Sequence, residues 1–130
     1  MAVAQLYTLG IIACAMRFAF TFILIGLLVA GCHRREAKLA HQIAGAWNHV
    51  GGGFSMTISS DGSFSSGSSN VAYQGTWLVR DSMLVMTITN AAGTKQHEPV
   101  GSVDRMKIVQ ADESHLTLGY SNQTVYYERR

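Results

Sequence analysis

Two thiols, five imidazoles and a run of hydroxyls are the groups of this 130-residue sequence whose types and spacing invite chemistry. Cys32 has the most specific setting. It closes an apolar run from Phe18 to Ala30 and stands behind the small residues Ala30 and Gly31, where an enzyme can approach the backbone closely. Its thiol is a side chain that can form a thioether. Cys14 follows Ile11-Ile12-Ala13 in a similar frame, but no basic residue precedes it and more apolar sequence follows, so Cys32 is the better site. The histidines His33, His41, His49, His97 and His115 lack the four-residue helical spacing of a metal pair. A metal site built from distant positions stays open. The acids Asp61, Asp81, Asp104, Asp112 and Glu113 fall mostly in turn contexts, which suits solvated carboxylates better than a glycosidase pair. Ser55 to Ser69 is rich in serine but holds no nucleophile-elbow pattern and suggests no Ser-His-Asp grouping. These residues point away from an enzyme, and no catalytic residue, metal ligand or cofactor is assigned.

Leu28-Val29-Ala30-Gly31-Cys32 resembles a bacterial lipoprotein signal. Arg17 precedes the apolar run, and Arg34, Arg35 and Lys38 follow the cysteine. Thirteen residues from Phe18 to Ala30 match a signal-peptide apolar region and are too few to span a bilayer comfortably. The resemblance implies that residues 1–31 are removed, that Cys32 is lipidated, and that the membrane is a partner through this anchor. It places the protein in the cell envelope. His33 stands where an aspartate would signal inner-membrane retention, which favours the outer membrane facing the periplasm in a Gram-negative cell. Two acyl chains or more give stable anchoring where one is marginal. Met1 to Ala15 carries no charge, whereas Met16-Arg17 opens a compact signal, so translation from Met16 fits better. An uncleaved anchor helix is the competing reading.

Residues 32–130 are enough for one domain with a modest core. They carry nine Lys and Arg against eight Asp and Glu, with none of the concentrated basic stripe that nucleic-acid binding needs. With Cys14 removed and Cys32 lipidated, no disulfide is expected, so the fold must rest on apolar packing and sheet hydrogen bonds.

Residues 33–44 read as a tether that becomes a short helix, with Leu39, Ala40, Ile43 and Ala44 on an apolar side and Gly45 as its stop. From Gly45 onward the pattern has period two. Phe54, Met56 and Ile58 alternate with Ser55, Thr57 and Ser59, and Val71, Tyr73, Gly75, Trp77 and Val79 with Ala72, Gln74, Thr76, Leu78 and Arg80. Leu84-Met86-Ile88, Leu116-Leu118-Tyr120 and Val125-Tyr127-Arg129 repeat the habit. Turn chemistry separates the runs at Gly51–Gly53, Ser60–Gly62, Arg80–Ser82, Asn90–Gly93, Asp112–Ser114 and Ser121–Gln123. Ser65 to Asn70 reads as a flexible loop or irregular edge strand where a partner could dock. Short strands at hairpin spacing, with no helix long enough for a crossover, predict an all-β antiparallel up-and-down meander of seven to nine strands over residues 45–130, closed to remove its edges. A period of thirty supports this. Gly45-Ala46-Trp47 returns as Gly75-Thr76-Trp77, and Met56-Thr57-Ile58 returns as Met86-Thr87-Ile88, with an echo at Leu116-Thr117-Leu118. About three hairpin-bearing units are expected, the last degenerate.

The two Gly-x-Trp motifs, Asp61-Gly62 before Ser63-Phe64, and the terminal Tyr126-Tyr127-Glu128-Arg129 resemble the small bacterial lipocalin-like domains. That resemblance implies a barrel closed at one end by Trp47 with Arg129 against it. It also implies a binding or structural module for a small apolar ligand, held by Phe54, Met56, Tyr73, Met86 and Leu118. Met56, Met83, Met86 and Met106 would suit an adaptable pocket. The other reading is a protein-interaction module, such as an inhibitor of an envelope-attacking enzyme. Ser66-Gly67-Ser68 followed by Tyr73 faintly resembles the inhibitory loop of the membrane-bound lysozyme inhibitors, without their disulfide or spacing. A cavity inside the barrel favours the first reading, and a packed interior with a protruding serine loop the second.

Overall fold

A computed structural model describes residues 34–93 and 98–130. The expected signal segment 1–31, Cys32, His33 and His97 lie outside the described residues. Residues 36–130 form one compact unit; of the other unit, residues 1–35, only Arg34 and Arg35 are described, both helical and exposed. Among the described residues no helix is long and apolar enough to cross a membrane.

The helix α1 covers residues 34–43 and eight strands follow. They are β1 (Gly45–His49), β2 (Ser55–Ile58), β3 (Ser63–Ser68), β4 (Val71–Arg80), β5 (Met83–Gly93), β6 (Val103–Ala111), β7 (His115–Tyr120) and β8 (Gln123–Arg129). Each strand pairs antiparallel with the next, and β1 pairs with β8, so the sheet closes into an up-and-down barrel. Closure gives every strand a neighbour on both sides, although β5 beyond Ile88 has only β4 beside it among the described residues. Among the described residues, every buried core residue lies between Ile43 and Tyr127, within the unit of residues 36–130.

The period-two pattern is physical here. In β4, Tyr73 and Gly75 are buried while Ala72, Gln74 and Thr76 are exposed. In β5, Leu84, Met86 and Ile88 are buried. Gly75 is glycine for space, because a Cβ there would overlap the Thr87 carbonyl and the Phe64 ring. The hairpins close with matching turn chemistry. Asp81 and Ser82 both take positive φ in the two-residue loop between β4 and β5, as a type I′ turn requires. Asp61 Oδ1 accepts hydrogen bonds from the Ser63 amide (2.9 Å) and hydroxyl (2.6 Å), which fixes the β2–β3 turn.

The thirty-residue repeat corresponds to register in its first two copies. Trp47 pairs with Met56 across β1–β2, and Trp77 pairs with Met86 across β4–β5. The third echo does not follow. Leu116 pairs with Ala111, and Lys107, thirty residues after Trp77, pairs with Gly119. The repeat therefore covers two hairpins, not three units.

Two turn expectations are corrected. Asn90–Gly93 is strand, not turn: β5 runs on beside β4 to a Val71–Gly93 pair, accommodated by a bulge at Gln74/Gly75. Thr89 is the extra residue, and its hydroxyl donates to the Gln74 carbonyl at 3.4 Å. The serine run is neither loop nor edge. Ser63–Ser68 is β3, paired with β2 on one side and β4 on the other, and only Ser69-Asn70 forms a turn.

One end of the barrel is closed by α1. Ile43 is fully buried, and Leu39 packs against the core. Glu36 Oε1 accepts the Asp81 amide at 2.9 Å, which ties the helix to the β4–β5 turn. Trp47 Nε1 donates to the Ile43 carbonyl at 2.8 Å, and Trp77 Nε1 to the Ser59 carbonyl at 2.8 Å. Trp47 is fully buried, whereas Trp77 is half-buried.

Candidate functional site

The end of the barrel away from α1 is not filled by its own side chains. Eight strands enclose just enough room for a packed interior or for one small ligand. Here a half-open cavity of about 280 Å³ remains. Of the residues expected to hold a ligand, Phe54, Met56, Tyr73 and Met86 line it. Leu118 does not line it; the residue is fully buried in the core. Met106 joins Met56 and Met86 on the wall, while Met83, next to the β4–β5 turn, does not.

The local reasons are simple. Phe54, Met56, Tyr73 and Met86 occupy inward positions in or just before β2, β4 and β5, and the alternation of side chains points them all at one space. Tyr127 faces in from β8, and its ring meets that of His49 edge-on, 5.7 Å between centroids at 72°. Burial pushes the Tyr127 phenol upward, which keeps it neutral.

Two carboxyl groups complete the lining, and sequence reasoning missed both as site residues. Asp104 sits within β6, opposite Met86, rather than in a turn, and Glu98 lies on the connection between β5 and β6. Both are half-buried. Burial, and then the neighbouring Glu98 charge, push the Asp104 carboxyl above the usual carboxylate range. The alternation of Asp104, Met106 and Ile108 with Arg105 and Lys107 was the available signal, since it makes β6 a strand with Asp104 on its inner face.

Other groups do not converge. Asp112 sits in the β6–β7 turn, where its Oδ1 accepts the Ser114 and His115 amides at 2.8 and 2.7 Å. These bonds and that from Gln110 hold its pKa down at about 2. This is a turn-capping role. Among the described residues no group of three or more His, Cys, Asp or Glu is placed to hold a metal ion. A larger groove of about 650 Å³ runs over β2, β3 and β4, bordered by Ser55, Thr57, Ser65 and Gln74. These residues are exposed and spread along the outer wall, so the groove lacks enclosure.

Trp47 and Arg129, expected together, are in contact. The guanidinium carbon lies 4.4 Å from the Trp47 ring centroid, and the two residues are cross-strand partners of β1 and β8. Arg129 also donates to the Ala44 and Gln42 carbonyls at 3.1 and 2.9 Å. The pair belongs to the closed end and not to the cavity. Comparison with protein-family models, with curated proteins and with solved structures finds no match.

Proposed function

We propose that this protein is a lipid-anchored lipoprotein of the cell envelope whose lipocalin-like barrel binds a small apolar ligand without catalysis. The observation that carries the reading is the half-open cavity of about 280 Å³ lined by Phe54, Met56, Tyr73 and Met86. Ligand sites are typically concave, mostly apolar and furnished with a few polar groups, and this cavity is a small example. One end of the barrel is capped by α1 and the other gives entry. The location part rests on the sequence around Cys32, with the barrel facing the periplasm from the outer membrane of a Gram-negative cell. A protein-docking role through a protruding serine loop has less support, since Ser66-Gly67-Ser68 lies within a paired strand.

Native mass spectrometry tests the carrier role. Residues 33–130 are incubated with envelope extract, desalted and sprayed. A retained small molecule, absent from a variant with Met106→Trp filling the cavity, is the expected result. A clean apo mass for the unaltered chain would contradict it.

A further inference from the structure

We propose that the barrel cavity selects amphiphiles that carry a positive charge, such as alkylammonium ions, over neutral or anionic ones of the same length. The inference rests on the carrier reading above and names the ligand class for the same cavity.

The lining has two kinds of surface. The deeper wall is apolar, with the thioethers of Met56 and Met86 and the rings of Phe64 and Tyr73, all buried. It takes a short chain: about 280 Å³ equals roughly nine water-sized groups at ~30 Å³ each. Among the described residues, the charged groups of the lining are both acids, Glu98 and Asp104. Among the described residues neither is in an ion pair; the ion pairs present are Arg80 with Asp81 and His115 with Asp112, both elsewhere. The proximity of the two acids is itself unfavourable: the Glu98 charge repels that of Asp104, whose ionisation burial already disfavours. A cation brought between them relieves that repulsion, whereas an anion adds to it. The rings add a second attraction of the same sign, because Tyr120 and Tyr127 also line the cavity and aromatic faces attract cations.

The overall charge of the chain cannot produce this preference. The sequence carries a formal net charge of +2, which disfavours cations at long range. A preference for a cation therefore reports the local acids.

The test is a matched series of octylamine, 1-octanol and octanoate at pH 7, each titrated into residues 33–130 by calorimetry. The same series is run on Asp104→Asn, Glu98→Gln and the double variant. The expected result is octylammonium binding at least tenfold tighter than 1-octanol, with octanoate weakest. In the double variant the amine preference falls to about unity while 1-octanol binds as well as before, which also shows that the variant is folded. Equal binding of amine and alcohol by the unaltered protein would overturn the charge selection and leave the carrier reading standing. An amine preference that survives in the double variant would overturn the assignment to Asp104 and Glu98. No binding of any of the three would remove the carrier reading along with this inference.

Discussion

Arg129 lies over the Trp47 ring, 4.4 Å from guanidinium carbon to ring centroid, and the same guanidinium holds the Gln42 and Ala44 carbonyls at the end of α1. One cation thus serves two purposes. It covers a buried ring, and it satisfies carbonyls that a helix C-terminus leaves unpaired, where a positive charge is also favoured by the helix dipole. Trp47 completes the arrangement by donating its indole N–H to the Ile43 carbonyl. Gly45 leaves the space: a Cβ there would overlap the Arg129 guanidinium. Trp47→Ala should cost about 3–5 kcal/mol by emptying a fully buried site. Arg129→Ala should cost about 1–2 kcal/mol, through a cation–π contact and two charge-assisted hydrogen bonds at a partly wet end. Urea unfolding followed by tryptophan fluorescence measures both, and a loss below 1 kcal/mol for Trp47→Ala would contradict its role as the plug.

Gly75→Ala should destabilise the barrel by about 1–3 kcal/mol, through overpacking against the Thr87 carbonyl and the Phe64 ring. Gly52→Ala is the comparison, since no atom lies within 4 Å of a Cβ there, although its φ of 77° adds backbone strain. If the two cost the same, close approach at the β4–β5 bulge is not what fixes Gly75.

Two aspartates should give opposite acid responses. Asp112 is held at about 2, below its unfolded value, so its contribution is present above pH ~4 and lost as the pH falls toward 2. An Asp112→Ala variant should be less stable than the parent at pH 7, and the gap should narrow steadily as the pH falls from about 4 to 2. Asp104 is raised, so its charged form opposes folding at neutral pH and the penalty fades as the pH falls through its raised value and on below about 4. Asp104→Asn should therefore gain stability at pH 7 and lose that gain in acid. Thermal melts from pH 2 to 7 check both, and the same sign for the two variants would contradict the burial assigned to Asp104.

Cys32→Ser tests the anchor. The variant should accumulate as an unprocessed, unlipidated precursor, read by metabolic labelling with a palmitate analogue and by membrane fractionation. Normal processing with normal membrane retention would contradict lipidation at Cys32.

Much of the architecture was legible because a two-residue period has one meaning at hairpin spacing. The alternation in Val71–Val79 and Leu84–Ile88 and the paired Trp–Met repeats are local facts that register turned into a wall. What was hidden depends on neighbours. Asn90–Gly93 has turn composition, yet β4 offers it a ladder, and pairing outweighed propensity. The serines of β3 look loop-like because their polar side chains mostly face solvent, while the backbone bonds on both sides. Phe54, Met56, Tyr73 and Met86 line the cavity, whereas Leu118 lies in the core, because parity gives the face of a strand but not the depth along it. Asp104 was missed for a related reason: an acid among Arg105 and Lys107 looks solvated until the pairing with β5 fixes which way it points.

Methyl NMR of the methionines tests the central claim most directly. Residues 33–130 contain four, Met56, Met83, Met86 and Met106, of which all but Met83 line the cavity. With methyl-labelled methionine, titration with 1-octanol or octylamine should shift the Met56, Met86 and Met106 signals together and leave Met83 in place. Four unmoved signals at saturating ligand, or a shift confined to Met83, would contradict a barrel that carries its ligand inside.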